Sequence, residues 1–208
     1  MKTIFFIGLF FLISCTSQEE KSAAPIDLLA GNSLDQWGYV SEDSMFSIEK
    51  IWHINNSILF CNGAVKGYIY TKKEYSDYKL TFEWLWSNGP GNSGVLLHIV
   101  HPDSVWPACI QAQLKADNAG DLIMMGGSSI AEQTDKTNRF VKKFKENVEN
   151  LPGKWNTYEI LCKADSIIIH INGLLQNKAS QASLSKGQIG LQSEERAIEF
   201  KNIFLEKL

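Results

Sequence analysis

An all-β sandwich of two antiparallel sheets, connected as a jelly roll, is the fold that this 208-residue sequence predicts. Three observations lead there. Short runs of β-branched and aromatic residues alternate with Gly, Asn and Pro breaks. Several of those runs are joined by tight-turn signals. The chain that remains after an N-terminal export segment has the length of one domain with a full core. The pattern leaves room for one helical segment.

The first fourteen residues, MKTIFFIGLFFLIS, carry one lysine followed by an unbroken apolar run without an acid, which is the layout of a secretory signal. The run from Ile4 to Ile13 is too short to cross a hydrocarbon core of about 30 Å as a helix. Leu12, Ile13, Ser14 and Cys15 resemble the bacterial lipobox, which implies cleavage before Cys15 and acylation of that cysteine. The expected organisation is a signal over residues 1–14, a lipidated N-terminus and flexible tether over 15–24, and a single β-sandwich domain over 25–208. The expected address is the cell envelope, with the lipid in the outer membrane and the domain facing either the periplasm or the exterior.

The first strands of the domain form a hairpin, Ile51–Ile54 and Ser57–Cys61, with Asn55 and Asn56 at the turn. From Tyr78 to Trp86, Leu80, Phe82, Trp84 and Trp86 share one face, while Thr81, Glu83 and Leu85 share the other. Gly94–Val100 and Cys109–Leu114 read as neighbouring strands. His98 stands opposite Leu97 and Ile99 in the first, and Gln111 and Gln113 share a face in the second. Between Ala116 and Gly153 the pattern dissolves into a long Gly/Asn/Ser-rich and then lysine-rich loop. It resumes in a hairpin whose turn is Asn172–Gly173. In the last strand Ile198 and Phe200 are in register but Ile203 and Leu205 are shifted by one, which calls for a β-bulge near Asn202.

A net charge of −3 without a basic stripe argues against nucleic acid as a partner. Cys61, Cys109 and Cys162 stand in apolar contexts with no metal-ligand spacing, so they read as core residues. No transition-metal site and no cofactor are expected. The loop acids Asp117 and Asp121 leave calcium open, without EF-hand spacing. The sequence does not set the oligomeric state.

Seven segments occur in an order that resembles the family of exported bacterial 3-keto-disaccharide hydrolase domains: LLAGNSLDQW, KEYSDYKLTFEW, GNSG at Gly91–Gly94, WPACIQAQLKADNAGD, LPGKWNTYEI, INGLLQNKA and LQSEERAIEFKNIFLEKL. The resemblance implies a concanavalin A-like sandwich and an oligosaccharide or glycoside substrate whose sugar carries a ketone at C3. Such a ketone acidifies the C2 proton, so one base and donors to the enolate oxygen suffice, in place of the carboxylate pair of standard glycosidases.

Glu83 is the leading candidate base, a position where the family also has glutamate; otherwise it is a strand residue paired with a lysine. Glu194 is second, with Gln192 two residues earlier on the same face. His98 is the third catalytic candidate, or a satisfied structural histidine. Gln111, Gln113 and Gln192 can exchange hydrogen bonds with hydroxyls, and Trp106 can stack on a sugar. The family commonly has glutamate at Gln111 and glycine at Glu195, so this chain departs from it at both. The departure at Gln111 keeps open a non-catalytic, lectin-like carbohydrate-binding lipoprotein as the alternative.

Overall fold

Residues 24–208 are described by the computed structural model, and the signal, Cys15 and all of the tether but Ala24 lie outside them. The strands follow the apolar runs. In chain order they are β1 (Ile26–Asp27), β2 (Trp37–Ser41), β3 (Trp52–Asn55), β4 (Ile58–Cys61), β5 (Gly67–Thr71), β6 (Tyr78–Trp86), β7 (Gly94–Val100) and β8 (Ala108–Gln113). They continue with β9 (Leu122–Met125), β10 (Phe140–Val141), β11 (Asn156–Lys163), β12 (Ser166–Ile171), β13 (Leu174–Ala179), β14 (Gln188–Ser193) and β15 (Ile198–Lys207). A four-residue helix, α1 (Ile48–Ile51), and a short 3₁₀ turn (Ala30–Asn32) are the helical pieces among the described residues.

All pairings between named strands are antiparallel. One sheet runs β13-β12-β11-β6-β15-β4-β3, with β1 added beside β15, and the other runs β10-β9-β8-β7-β14-β5-β2. We call them the β6 sheet and the β8 sheet. This is the two-sheet, concanavalin A-like sandwich that the sequence predicts, and the alternation inside each strand explains it. Leu80, Phe82, Trp84 and Trp86 of β6 point between the sheets, where they meet Ile110 and Ala112 of β8, Leu191 of β14 and Phe200 of β15 in one core. Phe82 stacks on Tyr158 with centroids 5.2 Å apart and planes 15° from parallel, a pair that contributes about 0.5–1.5 kcal/mol beyond its burial. Cys61, Cys109 and Cys162 are buried free thiols, and desolvation pushes Cys109 and Cys162 up to about 12.

Turn chemistry sets the registers. Asn172 (φ 49°) and Gly173 (φ 77°) supply the two left-handed residues of the β12–β13 hairpin, as expected. In the β3–β4 hairpin the left-handed pair is Asn56 and Ser57, one residue later than the sequence suggests, because Asn55 is paired with Ile58 in the ladder. The predicted bulge in β15 is present: the register with β6 shifts between Lys201 and Phe204, and Asn202 takes φ 52°. The bulge turns both Ile203 and Leu205 into the core and divides one edge of β15 between β4, beside its first half, and β1, beside its second.

The stretch from Ala116 to Gly153, expected as loop throughout, contains β9 and β10. Leu122 and Met124 of β9 enter the core, whereas Ile123 and Met125 point to the outer face of the β8 sheet. There they join Tyr68, Leu96, Ile99 and Cys109 in a second apolar cluster, and Ile123 and Met125 themselves line the site described next.

Candidate functional site

Two outer faces are available, one per sheet, and the chemistry-bearing residues divide unequally between them. Because Ile110 and Ala112 of β8 face the core, Gln111 and Gln113 face outward. The same alternation in β14 buries Ile189 and Leu191 and turns Gln192 outward, with Glu194 just past the strand end. β7 lies between β8 and β14, and Gly94 at its start makes room: a Cβ there would collide with Gln111 Nε2. The GNSG segment thus has a mechanical role. Ser93 Oγ donates to the Gln192 carbonyl at 2.7 Å, and Asn92 Nδ2 donates to Glu194 Oε2 at 2.9 Å.

The amides form a directed chain. Gln113 Oε1 accepts the backbone N–H groups of Leu114 (2.9 Å) and Lys115 (3.0 Å), so its carbonyl end is fixed. Gln111 Nε2 donates to Gln113 Oε1 and to Gln192 Oε1, both at 3.2 Å. Gln192 is then left with its Nε2, which donates to Glu194 Oε2 at 2.9 Å. Two backbone donors at one end therefore orient every amide so that the chain ends as a donor to a carboxylate. Glu194 Oε1 takes no hydrogen bond from the described residues. Burial holds the Glu194 carboxyl above its ordinary range; Lys66 and Lys115 draw it down, and Glu195 and Glu42 push it up.

Around these residues lies a cavity of about 190 Å³ whose lining includes Asn92, Gln111, Gln113, Gln192 and Glu194. Trp106, 51% exposed, and Phe140, 39% exposed, supply two aromatic surfaces on it. Of the residues singled out from sequence, the structure brings together Gln111, Gln113, Gln192, Glu194 and Trp106. It adds Asn92, Lys115, Arg139 and Phe140. Asn92 and Lys115 were within recognised segments, but Arg139 and Phe140 carry no local signal.

Glu83 and His98 are not there. Phe82 and Trp84 face the core, so Glu83 faces outward from the β6 sheet, on the opposite side of the sandwich from the amides. Lys201 is its direct cross-strand partner and makes the ion pair at 3.2 Å, while Asn202, turned by the bulge, donates to Glu83 Oε1 at 2.6 Å. The groove on that face is the larger, about 590 Å³, but the carboxylate in it has both oxygens occupied, which is the lysine-paired arrangement.

His98 is displaced by a bulge. Its backbone is left-handed (φ 56°), the β7–β8 register shifts between Leu97 and Val100, and the ring packs edge-on against Tyr78 at 5.7 Å. His98 Nδ1 lies 3.0 Å from the Leu184 carbonyl, burial lowers the pKa of the ring, and the cavity lining does not include it.

Asp121 does not offer calcium a free carboxylate either: its oxygens accept from Lys142 Nζ at 2.8 Å and from the Lys143 N–H at 2.9 Å. Among the described residues no group of three or more His, Cys, Asp or Glu is placed to hold a metal ion. Glu195, where the family tends to have glycine, takes φ 65°, so the turn keeps the left-handed geometry with a side chain on it.

Comparison with known proteins follows the same lines. Residues 24–206 match the model of the 3-keto-alpha-glucoside-1,2-lyase-like domain. No curated protein sequence matches the chain. Among solved structures, a glycosyl hydrolase candidate from Parabacteroides distasonis superposes with a TM-score of 0.67 at 20% identity, covering 89% of this chain and 100% of the other. The carbohydrate-binding module CBM66 from Bacillus subtilis gives 0.58 at 15% identity over 83% and 96% of the two chains. The β-glucanase of Bacillus licheniformis gives 0.57 at 9% identity over 90% and 100%. At these identities the three share the fold.

Proposed function

We propose that this chain, which belongs to the 3-keto-alpha-glucoside-1,2-lyase-like domain family, cleaves glycosides oxidised to a ketone at C3, with Glu194 as the base. The observation that carries the proposal is the Glu194 carboxylate itself. It is partly desolvated, its Oε2 is anchored by Asn92 and Gln192, and its Oε1 is unengaged in a cavity flanked by Trp106 and Phe140. A carboxyl with a raised pKa is a stronger base when ionised, and a held oxygen fixes its direction.

In the proposed reaction Glu194 removes the proton on C2, and the electron pair of that C–H bond moves into an enolate whose oxygen is the former C3 ketone. Gln113 Nε2, which has no acceptor among the described residues, stabilises that oxygen by donation. The enolate then re-forms the ketone as a C1–C2 double bond is made and the C1–O bond breaks, and the departing oxygen takes a proton from water. The hydroxide left by that water then adds to C1 while C2 takes its proton back from Glu194, which completes a net hydrolysis and returns the base to its ionised form.

The purified full-length chain in mild detergent is expected to release the aglycone from an α-glucoside oxidised at C3 and not from its unoxidised parent. Binding of either sugar without release from the oxidised one would replace the lyase by a lectin-like module.

Anchoring of this domain to the envelope through Cys15 is part of the proposal, supported by the residues MKTIFFIGLFFLISC. Cells fed radiolabelled palmitate are expected to label the wild-type chain and not Cys15→Ala. Equal labelling of the two would remove the anchor.

A further inference from the structure

The 190 Å³ cavity does not end at the amides. It adjoins a second, of about 290 Å³, and the two share Gln113, Lys115 and Phe140 along their border. Glu194 marks one end of the combined cleft, and Asp121 and Lys142 lie at the other. The charges between these ends do not balance. Asp121 is consumed by Lys142 and by the Lys143 N–H. Lys115 and Arg139 form no ion pair with a carboxylate among the described residues, and the Arg139 guanidinium lies over the Phe140 ring at 5.2 Å from its centroid. A chain of net charge −3 therefore places two cations that form no ion pair, one of them already stacked on an aromatic ring, on the lining of the cavity that holds Glu194.

From this juxtaposition we infer that the preferred substrate carries an anionic group, a carboxylate or a sulfate, on the unit attached to the oxidised sugar, and that Arg139 and Lys115 recognise it. The inference rests on the cleft being the glycoside site proposed above. Chemistry favours the assignment. A guanidinium offers parallel N–H donors that match two oxygens of a carboxylate or sulfate, and the ring beneath it limits its freedom before the ligand arrives. Lys115 adds a point charge, and the amides Asn118 and Asn138 of the second cavity can meet hydroxyls of the same sugar. A neutral unit would leave both cations without an ion pair.

Binding can be measured apart from turnover, by calorimetry on the full-length chain in mild detergent. The probes are maltose, α-1,4-glucosyl-glucuronate, and maltose carrying a sulfate on O6 of its reducing-end unit. At least one charged disaccharide is expected to bind roughly ten- to a hundredfold more tightly than maltose, the range for hydrogen bonds to charged groups. Which of the two does so identifies the group. The advantage is expected to shrink with added salt and to fall most of the way to unity in Arg139→Gln/Lys115→Gln.

Equal affinities for all three sugars, or an advantage undiminished in the double variant, would overturn the inference. A charge preference in binding combined with no cleavage of the C3-oxidised forms would retain it and remove the lyase reading. Absence of binding by all three would remove both.

Discussion

Glu194→Gln is expected to lower kcat on a C3-oxidised α-glucoside by about 10²–10⁴-fold, the usual worth of a positioned general base, with a much smaller change in KM. The substitution is close to isosteric. A glutamine carbonyl can still accept from Asn92 Nδ2 and Gln192 Nε2, so the loss isolates the proton transfer from the architecture. The pH profile supplies a second readout. Burial raises the Glu194 pKa above the ordinary carboxylate value of 4.5. Because the base acts when ionised, the wild-type rate falls as pH is lowered through that raised pKa, and the acid limb of kcat/KM lies above the usual carboxylate range. Glu83→Gln, in contrast, is expected to leave rate and profile unchanged, since its carboxylate is held by Lys201 and Asn202 on the far side of the sandwich. Near-wild-type turnover in Glu194→Gln, or a collapse in Glu83→Gln, would return the base to the β6 sheet.

The contrast between these two glutamates shows what the sequence could reveal. Period-two alternation correctly put Glu83 opposite Phe82 and Trp84, and Gln111 and Gln113 opposite Ile110 and Ala112. Alternation separates inner from outer but does not say which of two outer faces becomes a cleft. That depends on β8 and β14 flanking β7, a neighbourhood made by strands about 80 residues apart in the chain.

The Asn172–Gly173 hairpin and the bulge at Asn202 were legible because turn residues and a broken apolar period are local. The strand β9 was not. Its four residues, Leu-Ile-Met-Met, are buried on both faces, so no alternation marks them, and polar and glycine-rich segments flank them. His98 misled for the opposite reason: a regular strand would expose it to the outer face, and a left-handed residue inside β7 turns it onto Tyr78 instead. Arg139 and Phe140 reach the cavity because β10 pairs with β9, so their part in the site was hidden along with that strand.

Gln111→Glu, which would restore the residue more common in the family, is expected to destabilise this chain by about 1–3 kcal/mol or more at neutral pH, the penalty for leaving buried polar groups unsatisfied. Residue 111 is 4% exposed, and both acceptors of its Nε2 are carbonyl oxygens, Gln113 Oε1 and Gln192 Oε1. A carboxylate there would face acceptors on both sides. Gln113 cannot turn to help, because two backbone N–H groups hold its oxygen. Gln192 can turn, but its carbonyl would then point at Glu194 Oε2, so the conflict moves along the chain instead of disappearing. Protonation of the introduced carboxylate relieves part of it by providing one O–H donor, so the pKa of that group in the folded state is raised above its unfolded value. The deficit relative to wild type is therefore small below the unfolded carboxylate pKa and grows as pH rises through the folded one. Thermal unfolding checks this directly: at neutral pH the midpoint should fall by about 2–4 °C for each kcal/mol lost, with the gap narrowing in acid. A variant as stable as wild type at neutral pH would show that the amides reorient freely. In that case the chain from Gln113 to Glu194 would not fix the direction of the base, and the departure at Gln111 would carry no structural consequence.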